Sequence, residues 1–435
     1  MTDNETFRAP PGTHDVLPPV SSRWQALVSI FSGLVERAGY GLVVTPLFED
    51  AGVFSRAVGQ ATDMVSKEMY EFEDRGGRKL VLRPEVTASV VRAFIQHRPT
   101  LPWKAWYWGP NFRYERPQAG RYRQFFQLGV EAFGVEDPGL DVEVVALASG
   151  LGDAVGLSQV ELLVNSLGDA ECRPAYGRLL SEFLSQRETD LCDEHRTRWT
   201  LNPLRVLDCK RDACRSATED APRQLDHLCQ PCRRHWEAVL AGLEALGIRY
   251  VVETRLVRGL DYYTRTTFEL ASGALESAQN AVGGGGRYDG LVENLGGPPT
   301  PAIGFSFGLD RLLLACDAEG TFPAPSSALD AYVVDVAGGM EAVTATHELR
   351  RAGLRVDRAF AATDQARSMK SQLRAADRSG AAVAVIIGSE EAASAKATVK
   401  ALRGEPVQEL VDRAEVADAV RRLSRAPDRG ETADR

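Results

Sequence analysis

No apolar run in this chain approaches the roughly 18 residues that a membrane-spanning helix requires. The first residues, MTDNETFRAPPGTHDVLPP, lack the apolar core of an export signal, so a cytoplasmic protein is expected. Positive charge is in deficit. A net charge of −9 excludes a protein that coats nucleic acid indiscriminately, though not one with a local basic surface that reads one RNA. Cysteine is scarce, with seven residues, and without an export signal these read as free thiols or metal ligands rather than disulfides. The glycine run 283–286 is followed by Arg287-Tyr288-Asp289-Gly290, not by Gly-Lys-Ser/Thr, and it lacks G-x-G-x-x-G spacing. It is therefore neither a P-loop nor a dinucleotide fingerprint. It reads as a glycine loop that lets backbone approach a ligand.

What is present is ordinary in bulk: 44% hydrophobic and 26% charged over 435 residues, a length that implies two or three domains. The informative stretch is 107–134, YWGPNFRYERPQAGRYRQFFQLGVEAFG. It reads as two strands joined by a charged loop. In the second strand, alternation sends Phe126, Leu128, Val130 and Ala132 to an apolar face. Phe125, Gln127, Gly129 and Glu131 form the other face, a poor core and a good binding floor. The loop supplies Arg113, Glu115, Arg116, Arg121 and Arg123. Arginine forks suit phosphate, so the hairpin suggests a nucleotide site beside a small polar ligand, against the plainer reading of a solvated hairpin.

Around this stretch the chain is regular. Residues 21–38 form an amphipathic helix, with Ser21 or Ser22 as its cap. Strand 40–48 contains Pro46 and belongs at an edge or interface. Strand 79–83 leads into a helix from Thr87, and Glu85 at that junction either caps the helix or binds an amino group. RYVVETRLVRGLDYYTRTTFEL, 249–270, reads as two strands about a turn at Gly259, with Tyr262 and Tyr263 facing opposite ways. Residues 301–315, PAIGFSFGLDRLLLA, form a strand entering a helix at Gly308. Arg311 in that helix's first turn is unfavourable unless an anion compensates.

The wording FRYERPQAGRYRQFFQ resembles motif 2 of the class II aminoacyl-tRNA synthetases, in its histidyl form. RGLDYYTRTTFE resembles the histidyl signature peptide, 301–315 resembles motif 3, and the proline-containing strand resembles motif 1, which builds the family's homodimer interface. The resemblance implies an α/β (α+β) protein: an antiparallel-sheet core at 1–167 and 248–325, a helical insertion at 168–247, an anticodon-binding domain of mixed α/β type at 328–425, and a disordered tail at 426–435. It implies ligation of L-histidine to tRNA(His) through an adenylate made from ATP with Mg²⁺. By resemblance Arg113 and Arg258 are catalytic. Glu85, Thr87, Gln127, Glu131, Tyr262, Tyr263 and Tyr288, with the same two arginines, take histidine. Glu115, Arg121, Phe125 and Arg311, with Arg113, take ATP. The rival reading is a catalytically silent paralogue serving as regulatory subunit of ATP phosphoribosyltransferase; such paralogues usually lack the C-terminal domain.

One feature of the insertion is not generic. Cys209-x4-Cys214 and Cys229-x2-Cys232 fit one tetrahedral structural zinc site, with His227 and His235 close enough in sequence to substitute. The alternative is four unconnected thiols. Cys172, Cys192 and Cys316 read as packing residues. Beyond a Pro/Ser linker at 321–328, alternating strands and helices imply a largely parallel sheet.

Overall fold

The computed structural model describes residues 7–59, 62, 64–275, 280–325, 329–338, 340–360 and 368–424. The tail expected at 426–435 and part of the expected linker lie outside these residues. The chain forms two compact units, Met1–Ala324 and Pro325–Arg435.

The first unit begins with α1 Val20–Glu36, β1 Gly41–Leu42, β2 Phe48–Asp50, α2 Ala51–Val58, β3 Tyr70–Glu73, β4 Lys79–Leu82 and α3 Thr87–His97. The hairpin β5 Trp103–Phe112 and β6 Gln124–Phe133 follows, then α4 Pro138–Ala154 and β7 Val160–Ser166. Five helices come next: α5 Arg173–Ser185, α6 Asp193–Arg196, α7 Leu204–Leu207, α8 Asp212–Ala217 and α9 Gln230–Ala245. The chain returns through β8 Val251–Val252, β9 Thr264–Ser272, β10 Ala281–Arg287, α10 Leu291–Asn294, β11 Ala302–Gly308 and α11 Leu309–Glu319. Eight strands make one sheet in the order β1-β5-β6-β11-β10-β9-β7-β8. Its inner pairings are antiparallel, and only the edge pairs β1/β5 and β7/β8 are parallel.

The alternation in β6 decides which face is covered. Leu128, Val130 and Ala132 are fully buried in a core shared with Leu27 and Phe31 of α1 and Val144, Val145 and Leu151 of α4. Gln127, Gly129 and Glu131 are left on the opposite face. Gly129 is required there, because a Cβ would come within 2.4 Å of the Tyr107 ring and hydroxyl on β5. Ser21 and Ser22 lie inside α1 rather than capping it. The strand expected at 40–48 is divided: β1 pairs at the edge of the large sheet, and β2 joins a separate sheet with β4 and β3.

The glycine run is a strand, not a loop. β10 sits between β9 and β11, and its missing side chains admit neighbours. A Cβ on Gly283 would meet the Phe307 ring at 2.5 Å, and one on Gly285 would meet the Gly304 carbonyl at 2.0 Å. Close packing, not turn-making, explains these glycines.

A fully buried ion pair ties this strand down. Arg287 ends β10, and its Nη2 lies 2.6 Å from Asp141 of α4. His235 of α9 shares the other oxygen of Asp141 at 2.8 Å. Burial opposes ionisation of Asp141, but the hydrogen bonds from His235 and Arg287 outweigh it and hold its pKa below the ordinary value. His235 is thus committed to Asp141 and is not available as the metal ligand considered from sequence. His227 instead lies beside the Tyr176 ring, 6.0 Å between centroids. Helices α5, α7 and α8 pack into one hydrophobic core of the first unit and α9 into the other, so the insertion shares its cores with the sheet.

The second unit runs β12 Ala331–Asp335, α12 Glu341–Arg351, β13 Val356–Arg358, α13 Met369–Arg378, β14 Val383–Ile387, α14 Ser389–Ala393, β15 Lys396–Ala401, β16 Gln408–Asp412 and α15 Val416–Ser424. The order is β13-β12-β14-β15-β16. The β13-β12-β14 part is parallel, as the alternation predicts, but β15 and β16 add antiparallel pairings. The connections before and within that hairpin are too short for a parallel crossover.

Removing one partner from a buried ion pair strands the other charge. Asp141→Ala is expected to cost about 3–5 kcal/mol, measured by denaturant unfolding. A change below about 1 kcal/mol would show that the pair behaves like a surface contact.

Candidate active site

The uncovered face of β6 and β11 floors a cavity of about 310 Å³. All thirteen site residues expected from sequence line it, drawn from the β5–β6 hairpin, the start of α3, the 258–263 segment, the end of β10 and the first turn of α11.

The inner end is acidic and rich in hydroxyls. Glu131, 1% exposed, accepts hydrogen bonds from Thr87 Oγ1 at 2.6 Å, Tyr107 OH at 3.3 Å, and Tyr288 OH. Burial pushes its carboxyl pKa up to about 8, and the hydroxyl donors pull against that shift. Glu85 accepts from the backbone N–H groups of Thr87 and Ala88, both at 2.8 Å. It therefore caps α3, the plainer of the two readings, while also facing the cavity. Burial raises its pKa as well. Tyr262 and Tyr263 are both buried, and both line the cavity. The sequence reading placed them in a strand facing opposite ways, but they precede β9. Outside an extended strand successive side chains need not alternate, and the two rings tilt together at 4.7 Å between centroids.

Arginines hold the middle. Arg258 forms an ion pair with Glu269 of β9, and its buried Nε has no partner among the described residues. A Cβ on Gly284 would come 2.8 Å from the Arg258 guanidinium, so the bare strand makes room for this side chain. Arg113, which lines the cavity, donates from Nε to the Pro84 carbonyl at 2.9 Å. Its guanidinium lies 5.2 Å from the centre of the Phe125 ring. Gln127 is fixed by Asn111 at 2.7 Å and Ser306 at 3.2 Å.

The outer end is cationic. Arg121 and Arg113 flank Glu115 at 3.6 and 4.0 Å. Burial, then the charge of Arg121, lowers the Arg311 pKa. Two cations gathered at the positive end of α11 make a site for a polyanion. Arg116 is exposed, and Arg123 packs over the Tyr114 ring at 4.0 Å; neither lines the cavity. Sequence reasoning missed Tyr107, Glu269, Asn111 and Ser306. Glu269 closes the RGLDYYTRTTFE peptide, and Tyr107 opens the central stretch, so both lay within the motifs without a signal of their own.

The four-cysteine zinc site does not form. Cys209 and Cys214 gather with Cys192 and His195, while Cys229 and Cys232 gather with Asp169 and Cys172. Spacing pairs neighbours along the chain; the fold pairs each cysteine couple with an upstream couple instead.

An antiparallel sheet carrying an arginine loop on its hairpin, and an arginine where the last strand enters a helix, is the architecture of a class II aminoacyl-tRNA synthetase. The comparisons carry this further. A family model described as histidyl-tRNA synthetase matches residues 12–312, and one described as anticodon binding domain matches 331–423. The chain is 49% identical over 423 residues to a histidine–tRNA ligase of Rhodococcus erythropolis, covering 95% of this chain and 98% of that protein. It is 50% identical over 401 residues to that of Geobacillus kaustophilus, covering 91% and 93%. The apo histidyl-tRNA synthetase of S. aureus superposes with a TM-score of 0.79 at 35% identity, over 97% of this chain and 100% of that one. The chain belongs to the histidyl-tRNA synthetase family, and its reaction is the ATP-dependent ligation of histidine to tRNA. No helix of the described residues is long and apolar enough to cross a membrane.

The sign of the Glu131 shift has a consequence for binding. Below about pH 8 the carboxyl is protonated in the free site, whereas a cationic or N–H-donating ligand favours the carboxylate. Histidine binding at pH 7 is expected to release a proton, and kcat/KM for histidine to rise toward pH 8. Glu131→Gln should remove the proton release and weaken histidine about 10²-fold. Calorimetry in buffers of different ionisation enthalpy measures the proton directly; no buffer dependence in the wild type would refute the assignment.

Proposed function

We propose that the cavity orients histidine and ATP end to end, with the amino acid at the acidic inner end and the phosphates at the arginine rim. Glu131 with Thr87, Tyr107 and Tyr288 takes N–H groups of histidine, and Tyr262 and Tyr263 wall the imidazole. Glu85 sets the start of α3 and adds negative charge toward the ammonium. Gln127, locked by Asn111 and Ser306, presents its amide in a single orientation. A buried polar pocket of this kind rejects analogues that leave its groups unpaired, which selects histidine without an editing step.

In the first step the histidine carboxylate attacks the α-phosphorus of ATP, a P–O bond breaks, and pyrophosphate leaves. No protein base is needed, because the carboxylate is already ionised at pH 7. Arg113 and Arg258 stabilise the charge that develops on the phosphate and hold the two reactants in line. The observation that carries this reading is Arg258 itself: it lines the cavity, and its buried Nε has no partner among the described residues, a donor that calls for an acceptor. Phe125 stacks on adenine, Glu115 orients the base or its ribose, and Arg121 and Arg311 hold the outer phosphates. ATP would enter as its Mg²⁺ complex; Glu269 and Asp310, which line the cavity, are hard oxygen donors that would fit such an ion. In the second step the terminal ribose hydroxyl of tRNA(His) attacks the histidyl carbonyl, and AMP leaves. Cytoplasmic residence follows from that substrate.

The regulatory-paralogue reading has less support. The solved structure of an ATP phosphoribosyltransferase regulatory subunit/histidyl-tRNA synthetase from Bacillus halodurans matches at 22% identity with a TM-score of 0.62, a likeness of fold alone. This chain keeps Arg113, Arg258, Tyr262, Tyr263 and Arg311, and it has the anticodon-binding unit. Histidine-dependent exchange of pyrophosphate into ATP separates the two. Exchange should require histidine and fall about 10²–10³-fold in Arg258→Ala. Absence of exchange from folded protein supplied with Mg²⁺ would overturn the assignment.

The active form is a homodimer built on the β1 edge. Leu42 of β1 and Val44 and Leu47 just beyond it are exposed there, Val44 to 82%. An apolar cluster of this kind marks an association surface. Light scattering should give a dimer for the wild type and a monomer for Val44→Arg; a monomeric wild type at micromolar concentration would refute the dimer.

A further inference from the structure

We propose that the insertion carries two structural zinc ions, one held by Cys192, His195, Cys209 and Cys214 and the other by Asp169, Cys172, Cys229 and Cys232. In each group the four ligand atoms lie within 4.8 Å of one another. A tetrahedral zinc with bonds of about 2.0–2.3 Å needs each ligand drawn in by only roughly half an ångström from such a spread. The couples have the spacing of short metal-binding turns: Cys-x2-His with Cys-x4-Cys, and Asp-x2-Cys with Cys-x2-Cys.

The contacts within the groups resemble those around bound thiolates. His195 Nδ1 lies 3.2 Å from Cys192 Sγ and 3.7 Å from Cys214 Sγ, aimed at the centre of its group. Cys229 Sγ lies 3.7 Å from Asp169 Oδ1. Backbone N–H groups point at sulfur in both: Cys192 N–H to Cys214 Sγ at 3.4 Å, and Asp169 N–H to Cys172 Sγ at 3.3 Å. The Asp169 group also has an outer cation, since Arg265 Nη2 lies 3.6 Å from Asp169. Three thiolates and a histidine leave a net charge of −1 about Zn²⁺, and three thiolates with a carboxylate leave −2, so the more negative group is the one that most needs the Arg265 counter-charge. All seven cysteines are free, and six fall into these two groups. A histidine in one and a carboxylate in the other fit metal ligation better than disulfide exchange.

The two sites are nested. The Asp169 group closes the neck of the insertion, joining the start of α5 to the start of α9, and the Cys192 group closes its tip around α6, α7 and α8. Helices of four to six residues cannot hold themselves in water, and a metal cross-link supplies what they lack. Both sites brace the substrate segment. Asn202 and Arg205, between the tip ligands, bond Asp261 at 3.0 Å and the Gly259 carbonyl at 2.5 Å. Arg173, next to Cys172, donates to the Tyr263 carbonyl at 2.8 Å.

The test is metal content of the full-length protein purified from zinc-supplemented culture, by plasma mass spectrometry. Two zinc ions per chain are expected, falling to one in Cys214→Ser, one in Cys232→Ser and none in the double variant. Should a variant fail to fold, the wild type still decides: mercurial modification should release two zinc ions, read with a chelating dye. A chain that carries no zinc and takes up none of added Zn²⁺ or Co²⁺ overturns the proposal. So does a single ion lost in only one variant, or disulfides within the groups after alkylation under non-reducing conditions.

Discussion

The buried Arg287–Asp141 pair is the constraint on which much of the rest depends. Two opposite charges with no exposed side-chain surface must face each other, and they can do so only if β10 and α4 take one relative placement. His235 brings α9 to the same carboxylate, so the insertion is registered against the sheet by the same contact. Tyr288 is the next residue after Arg287, and its hydroxyl reaches Glu131 in the neighbouring part of the floor. A charge pair on one side of the sheet thus places a donor in the site on the other.

Across the cavity, charge changes sign over the length of one small ligand pair. Two desolvated carboxyls sit among tyrosines at one end, and arginines collect at a helix N-terminus at the other. Neither end is comfortable alone. Glu131 sits in surroundings that push its pKa to about 8, and Arg311 faces Arg121. A substrate with N–H donors at one end, joined to a polyanion at the other, relieves both. Pre-set charge of this kind suits a reaction that needs alignment and electrostatic stabilisation rather than a protein base.

The insertion solves a different problem. Between β7 and β8 the chain makes several helices too short to be stable alone, yet these hold the 259–263 segment against the sheet. Two clusters of sulfur, imidazole and carboxylate ligands lie at its neck and tip, where a cross-link shortens the distance over which the fold must otherwise be maintained.

The sequence by itself determined the two faces of β6, the strand-to-helix entry at Gly308 and the mixed fold of the second unit, and its motifs, through their resemblance to a known family, named thirteen residues that line one cavity. These are local patterns: a period of two, a glycine before an amphipathic run, and motifs whose residues are close in sequence. Tertiary structure alone decided the rest. Asp141, Arg287 and His235 lie far apart in the chain, and no spacing announces their meeting. The glycines of β10 looked like a loop because the neighbours that require bare backbone, Phe307 and Gly304 of β11 and Arg258 of the segment before β9, arrive from elsewhere in the chain. Tyr262 and Tyr263 face the same cavity because the chain there is not extended. The cysteines were paired by proximity in sequence, whereas the fold brings Asp169–Cys172 to Cys229–Cys232 and Cys192–His195 to Cys209–Cys214. Spacing shows which residues can share a turn; only packing shows which turns meet.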